Sequence, residues 1–155
     1  MDIMIKNILV PLDDSKFSQK AFTYAKEMAE KLNATIFLLT VIDEHEYLHG
    51  VLLAELEDDY TIKDTIHKYV KSIIINEKKK LKKIAHENES KTIKIHHHVM
   101  KGQPIEAILD YSIAKKIDLV IIGSQGLKGI EKLKVLGSTS RKISELSKCP
   151  VMLIH

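Results

Sequence analysis

Four short runs along the chain are apolar with almost no polar alternation: "IKNILVPL" (5–12), "ATIFLLTVID" (34–43), "DLVIIG" (118–123) and "PVMLIH" (150–155). Runs of this length, rich in Ile, Val and Leu, read as strands covered on both faces, as in parallel sheets. A fifth run, "TIKIHHHVM" (92–100), alternates instead. Ile93, Ile95, His97 and Val99 point one way and Lys94, His96, His98 and Met100 the other, which suits an edge strand.

Between the strands the apolar period lengthens. Ser15 is a candidate N-cap for a helix whose inward face is read as Phe17, Ala21, Tyr24, Ala25, Met28 and Leu32, with Asn33 as its stop. A long helix is expected from about Tyr60 to Glu89, striped by Ile62, Ile66, Tyr69, Val70, Ile73, Leu81 and Ile84. Gly102 and Pro104 mark a turn into a third helix, with Pro104 at its first position and Ile105, Ile108, Leu109 and Ser112 inward. A fourth helix after Gly137 uses Ile143 and Leu146. Residues 44–58 have poor periodicity and read as a long connection with a helical turn.

Strands alternating with helices imply an α/β fold: a single domain over 1–155, with an open parallel five-stranded sheet and helices on both faces. The 155 residues suffice to bury a core without a disulfide or a metal. The single cysteine, Cys149, excludes an intrachain disulfide, suits a cytoplasmic setting and reads as a small core residue. The N-terminal apolar run is short, carries Lys6 and ends at Pro11, so it does not read as a signal peptide. No apolar run approaches the roughly 18 residues of a membrane span. A net charge of +3 gives no case for nucleic acid or membrane as a partner. The basic "EKKKLKK" segment, 77–83, reads as the solvated face of the long helix.

Chemistry in such sheets gathers where strands end, at the point where strand order reverses. The first strand leaves through Pro11, Leu12, Asp13 and Asp14, the second through Val41, Ile42 and Asp43, and the fourth through Ile122, Gly123 and Ser124. Four of the six glycines fall between Gly123 and Gly137, and "GSTS" (137–140) then opens a helix. Glycine loops and helix starts offer amide donors to an anion, and an acid at a strand exit suits ribose hydroxyls. Together these suit a phosphorylated nucleoside. No P-loop is present, and no glycine follows the first strand as in dinucleotide-binding folds.

The chain resembles the universal stress protein family, UspA-like and of its ATP-binding branch, over nearly its whole length. The resemblance is carried by "ILVPLDDSKFSQKA", "LLTVID", "GQPIEAILDYSIAKKIDLVIIGSQG" and "LGSTSRKI". That branch has the motif G-x2-G-x9-G-[ST]. Gly123-x2-Gly126 and Gly137-Ser138 match its two ends, but ten residues, 127 to 136, separate them where the pattern has nine. The resemblance implies a flavodoxin-like (Rossmann-like) sheet of order 3-2-1-4-5, with the fifth strand at a dimer edge. It implies that Pro11, Leu12, Asp13 and Val41 line an adenosine pocket, with Asp13 toward the ribose or base and Val41 offering backbone groups to adenine. Ile122 and Gly123 would form its floor, and Gly126, Gly137, Ser138 and Thr139 would hold phosphates. Magnesium or manganese would accompany ATP.

The expected function is an ATP- or ADP-binding, homodimeric stress-response switch without fast catalysis, acting on protein partners. The alternatives are a family member that works through protein contacts without nucleotide, and a slow ATPase or nucleotide-dependent transferase. No catalytic residues are assigned, because no nucleophile, base and orienting group come together. His96 and His98 share a face, but two imidazoles are fewer than a zinc site uses. They read as edge-strand histidines, and His45 and His49 as solvent-exposed.

Overall fold

A computed structural model of the chain describes residues 4–43, 45–47, 60–126 and 136–155. Its elements follow the expected alternation. They are β1 (Asn7–Pro11), α1 (Lys16–Leu32), β2 (Thr35–Ile42), α2 (Tyr60–Asn88), β3 (Lys94–Lys101), α3 (Pro104–Ala114), β4 (Leu119–Gly123), α4 (Ser138–Leu146) and β5 (Val151–Ile154). Of the 44–58 connection, 45–47 form one helical turn; the rest, with His49, lies outside the described residues.

The strands form one parallel sheet in the order β3-β2-β1-β4-β5. Order reverses between β1 and β4, where Ile8 pairs with Leu119 and Leu9 with Val120. Asp118 locks the foot of this pair, because its Oδ2 accepts from the N–H groups of Lys6 and Asn7 at 2.9 Å each.

Side chains alternate across the sheet and build two apolar layers. Ile8, Val10, Ile36, Leu38, Leu119 and Ile121 pack with Ala21, Ala25 and Ala29 of α1 and with Leu81 and Ala85 of α2. Leu9, Leu39, Val120 and Ile122 pack with Ile108 and Tyr111 of α3 and with Ile143 of α4. Edge strand β3 buries Ile95 and Val99 on the α2 side as expected, but His97, read onto that same face, is exposed along with His96 and His98.

The helix ends obey local chemistry. The Ser15 hydroxyl accepts from the N–H of Ser18 at 3.1 Å, and Asn33 closes α1 in the left-handed region at φ 53°. Pro104 begins α3, and the Gln103 side chain caps it by accepting from the N–H of Glu106 at 2.8 Å.

Two inward faces differ from the sequence reading. α1 buries Ser18, Ala21, Phe22, Ala25 and Ala29, leaving Tyr24 and Leu32 about half exposed. Small residues let the helix axis approach the sheet, and the larger side chains fall on its flanks. In α2 the buried positions are Leu81 and Ala85, while Ile62 and Tyr69 are exposed; in α4 Leu146 is exposed too. The apolar stripes of these helices run on past the part of the sheet that covers them.

Candidate functional site

The carboxyl ends of β1 and β4 stand side by side, so "PLDD" and "GSQG" meet across one crevice. The closest approach is at Gly126, where a Cβ would come 2.7 Å from Oδ2 of Asp13. The absent side chain leaves room for that carboxylate. Asp13 is further set by its own turn: its Oδ1 accepts from the N–H of Ser15 at 3.0 Å. The Ser15 hydroxyl also donates to the carbonyl of Gln125 at 3.4 Å, tying the start of α1 to the exit of β4.

Val41 faces this crevice through its backbone. The carbonyl of Leu39 accepts from the N–H of Leu12 at 2.8 Å, and that of Ile42 accepts from Gly102 at 3.0 Å on the opposite side. Backbone groups alternate along a strand, so those of Val41 point the same way as Leu39's. They point past Pro11, the last residue of β1 to pair with β2. Thr40 closes the corner by donating its hydroxyl to the Leu12 carbonyl at 3.0 Å.

On the other wall, "GSTS" is knotted to "GSQG". The Ser124 carbonyl accepts from the N–H of Gly137 and from the hydroxyl of Ser140, each at 2.8 Å. The Ser140 hydroxyl also reaches the Gly137 carbonyl at 3.0 Å. Gly137 is the N-cap of α4 and provides no side-chain cap, so no side chain of the cap answers the N–H groups of the first turn, Ser138 and Thr139.

Several expected roles change with these contacts. Gly123 serves packing: a Cβ there would stand 2.7 Å from the carbonyl carbon of Phe17, 2.8 Å from its Cβ and 2.8 Å from the nitrogen of Ser18. Its bare face seats the first turn of α1 against β4, so it is not simply a floor left open for a ligand. Ile122 turns its side chain into the α3–α4 layer and meets the crevice through backbone only. The amide of Gly137 donates to the Ser124 carbonyl, so it is not open to an anion. Ser124 and Ser140 are buried, and the Ser140 hydroxyl ties α4 to the exit of β4. Residues 127–135, with Gly129 and most of the lengthened motif interval, lie outside the described residues.

One residue near the crevice escaped the sequence reading. The ammonium of Lys80, inside the basic run of α2, lies 2.5 Å from Oδ2 of Asp14 and 2.6 Å from Oε2 of Glu77. Partial burial is the largest influence on Lys80 and pushes its pKa down, but hydrogen bonds to Asp14 and Glu77 reverse this and leave it above the ordinary lysine value. A pairing across 66 residues has no sequence signal.

The histidine tract lies away from the crevice. The His96 ring lies 5.0 Å from that of Phe37, and His98 stacks on Tyr111 at 5.8 Å. Both help line a shallow groove of about 480 Å³ between β3 and α3. Among the described residues no group of three or more His, Cys, Asp or Glu is placed to hold a metal ion. Cys149 is half-buried against the α3–α4 layer, its Sγ 3.4 Å from the Ser147 hydroxyl. No helix among the described residues is long and apolar enough to cross a membrane.

Comparison with known proteins agrees with this architecture. The universal stress protein YxiE of Bacillus subtilis is 28% identical over 98% of this chain and 100% of its own length. The solved structure of universal stress protein UspA from Lactobacillus plantarum is 25% identical, with a TM-score of 0.72, over 97% of this chain and 98% of that one. A universal stress protein from Archaeoglobus fulgidus, solved in complex with dAMP, shares the fold at 16% identity and a TM-score of 0.62, over 98% of this chain and 99% of that one. The model of the universal stress protein family matches residues 4–155. With the sheet order, the paired strand exits and this match together, the chain belongs to the universal stress protein family.

Proposed function

We propose that this protein binds ATP in the β1–β4 crevice and acts as a homodimeric regulatory switch without fast turnover. The observation that carries the reading is the carboxylate of Asp13 held against the bare face of Gly126. A carboxylate at a strand exit can accept hydrogen bonds from a ribose diol. The Val41 backbone, near the exit of β2, would offer an edge to adenine. The N–H groups of Ser138 and Thr139, at the start of a nine-residue helix, suit phosphate oxygens. The dAMP of the Archaeoglobus protein is that protein's ligand, and at its low identity it supports the reading only through the shared fold.

These residues fit a nucleotide better than a metal cage. A magnesium or manganese ion would therefore be held mainly by phosphate oxygens and water, with Ser138 and Thr139 as neighbouring hydroxyls. When bound it would screen phosphate charge. The crevice residues themselves bind and orient. Asp13 is engaged in its turn with Ser15, and among the described residues no hydroxyl–base pair faces the phosphate end, so binding without fast turnover is the expected behaviour.

The test begins with purified protein. Heat denaturation followed by anion-exchange separation should release ATP or ADP. Stripped protein should gain thermal stability with ATP and magnesium. Asp13→Ala should weaken binding by about tenfold or more, the scale of a hydrogen bond to a charged group. No released nucleotide together with no thermal stabilisation would overturn the reading. It would favour a protein that works through macromolecular contacts alone. Turnover above the buffer rate that vanishes in Asp13→Ala would instead make it an enzyme.

A further inference from the structure

The turn that carries Asp13 is held from outside the β1–β4 crevice. Asp14, the next residue, has φ 65°. L-residues disfavour this left-handed region, and aspartate tolerates it better than most but still at a cost. Support comes from α2, where Lys80 is bonded to Asp14 while Glu77 steadies the lysine from one helical turn away. The Lys80 and Glu77 side chains are 35% and 20% exposed, and that of Asp14, at the solvent end of the group, is 58% exposed. A partly shielded three-charge arrangement holds geometry better than an isolated surface pair.

The contacts then run in series. Asp14 in its left-handed conformation sets how Ser15 is oriented relative to Asp13. That peptide geometry lets Asp13 accept from the Ser15 N–H. The same geometry lets Ser15 cap α1 and reach Gln125. It also aims the second oxygen of Asp13 at Gly126. Rotating Asp14 out of the left-handed region would break the bond from the Ser15 N–H that holds the Asp13 carboxylate.

We propose that Lys80 is a positioning residue for the crevice: by holding Asp14 it fixes the Asp13 carboxylate, and it makes α2 an element through which nucleotide affinity is tuned. Lys80 itself does not touch the ligand. The positioning stands on the geometry of the turn, whereas its effect on affinity rests on the ATP reading above. Linkage makes the effect reciprocal, so bound nucleotide should also strengthen the Lys80–Asp14 contact.

Two readouts keep the two readings separable. In nucleotide-free protein, Lys80→Gln should speed hydrogen exchange of the Ser15 amide, and Lys80→Arg should restore most of the protection. In calorimetric titrations, Lys80→Gln should weaken ATP–magnesium binding about twofold to fivefold, the scale of a surface pair. An Asp14→Gly background supplies the left-handed residue without outside help, so Lys80→Gln should have no further effect there. Unchanged Ser15 exchange in Lys80→Gln, or an equal loss in the Asp14→Gly background, would overturn the proposal. If the wild type binds no nucleotide, the ATP reading fails, and Ser15 exchange still decides the positioning role.

Discussion

Gly123 and Gly126 stand three residues apart and lack a side chain for different reasons. At Gly123 the obstructing atoms are backbone and Cβ of α1, which cannot step aside. Gly123→Ala should therefore destabilise the fold by about 1–3 kcal/mol, as overpacking does, read as a lower urea midpoint. It is a poor probe of binding, since lost affinity there would report a displaced helix. At Gly126 the obstruction is one carboxylate oxygen at the end of the Asp13 side chain, which can shift where backbone cannot. Gly126→Ala should leave the urea midpoint nearly unchanged and weaken nucleotide binding by displacing the carboxylate. Equal loss of stability in both variants would contradict this division. Ser140 offers a third check: its buried hydroxyl ties both halves of the glycine stretch, and the Ser124 and Gly137 carbonyls each keep a backbone donor without it, so Ser140→Ala should cost only about 0.5–1.5 kcal/mol. That glycines and hydroxyls gather here was plain from the sequence. Which of them touches a ligand and which only packs depends on Phe17 and Ser18, more than a hundred residues away in the chain.

At the scale of elements, α2 does two jobs with one helix. Its last third is core: Leu81 is fully buried, and Leu81→Ala should cost about 2–5 kcal/mol in denaturant unfolding. One residue earlier, Lys80 leaves the basic run to meet the β1–α1 turn. The sign of its pH dependence follows from the raised pKa. A cation whose folded pKa lies above its unfolded value stabilises fully below the unfolded pKa and loses that contribution as pH rises through the folded one. The Lys80 contribution should thus persist through neutral pH and fade only in the alkaline range. A wild-type minus Lys80→Gln stability difference that disappears between pH 6 and 8 would contradict the assignment. The helical period of α2 was legible in the sequence, as was the alternation of β3. The exposure of Ile62 and Tyr69 was not, because periodicity marks a face without saying how much sheet lies beneath it.

For the whole molecule, β5 closes one edge of the sheet with Val151, Met152 and Leu153 only half-buried. An apolar edge strand of this kind is covered when two copies pair across a two-fold axis. Sedimentation equilibrium should give twice the chain mass at micromolar concentration, and a monomer throughout would remove the dimer from the proposed function. By itself the sequence determined the elements, their order, the caps at Ser15 and Asn33, and the strand exits. Those depend on hydrophobic period and capping chemistry, which act within one or two helical turns. Parallel topology and right-handed crossovers then left few ways to arrange the strands. Only the tertiary structure decided which face of each glycine is occupied, why α1 turns alanines rather than Tyr24 and Leu32 to the sheet, and that a lysine in a solvated-looking run holds Asp14. Those are contacts between residues far apart in the chain, and they become definite only when packed elements bring particular atoms together.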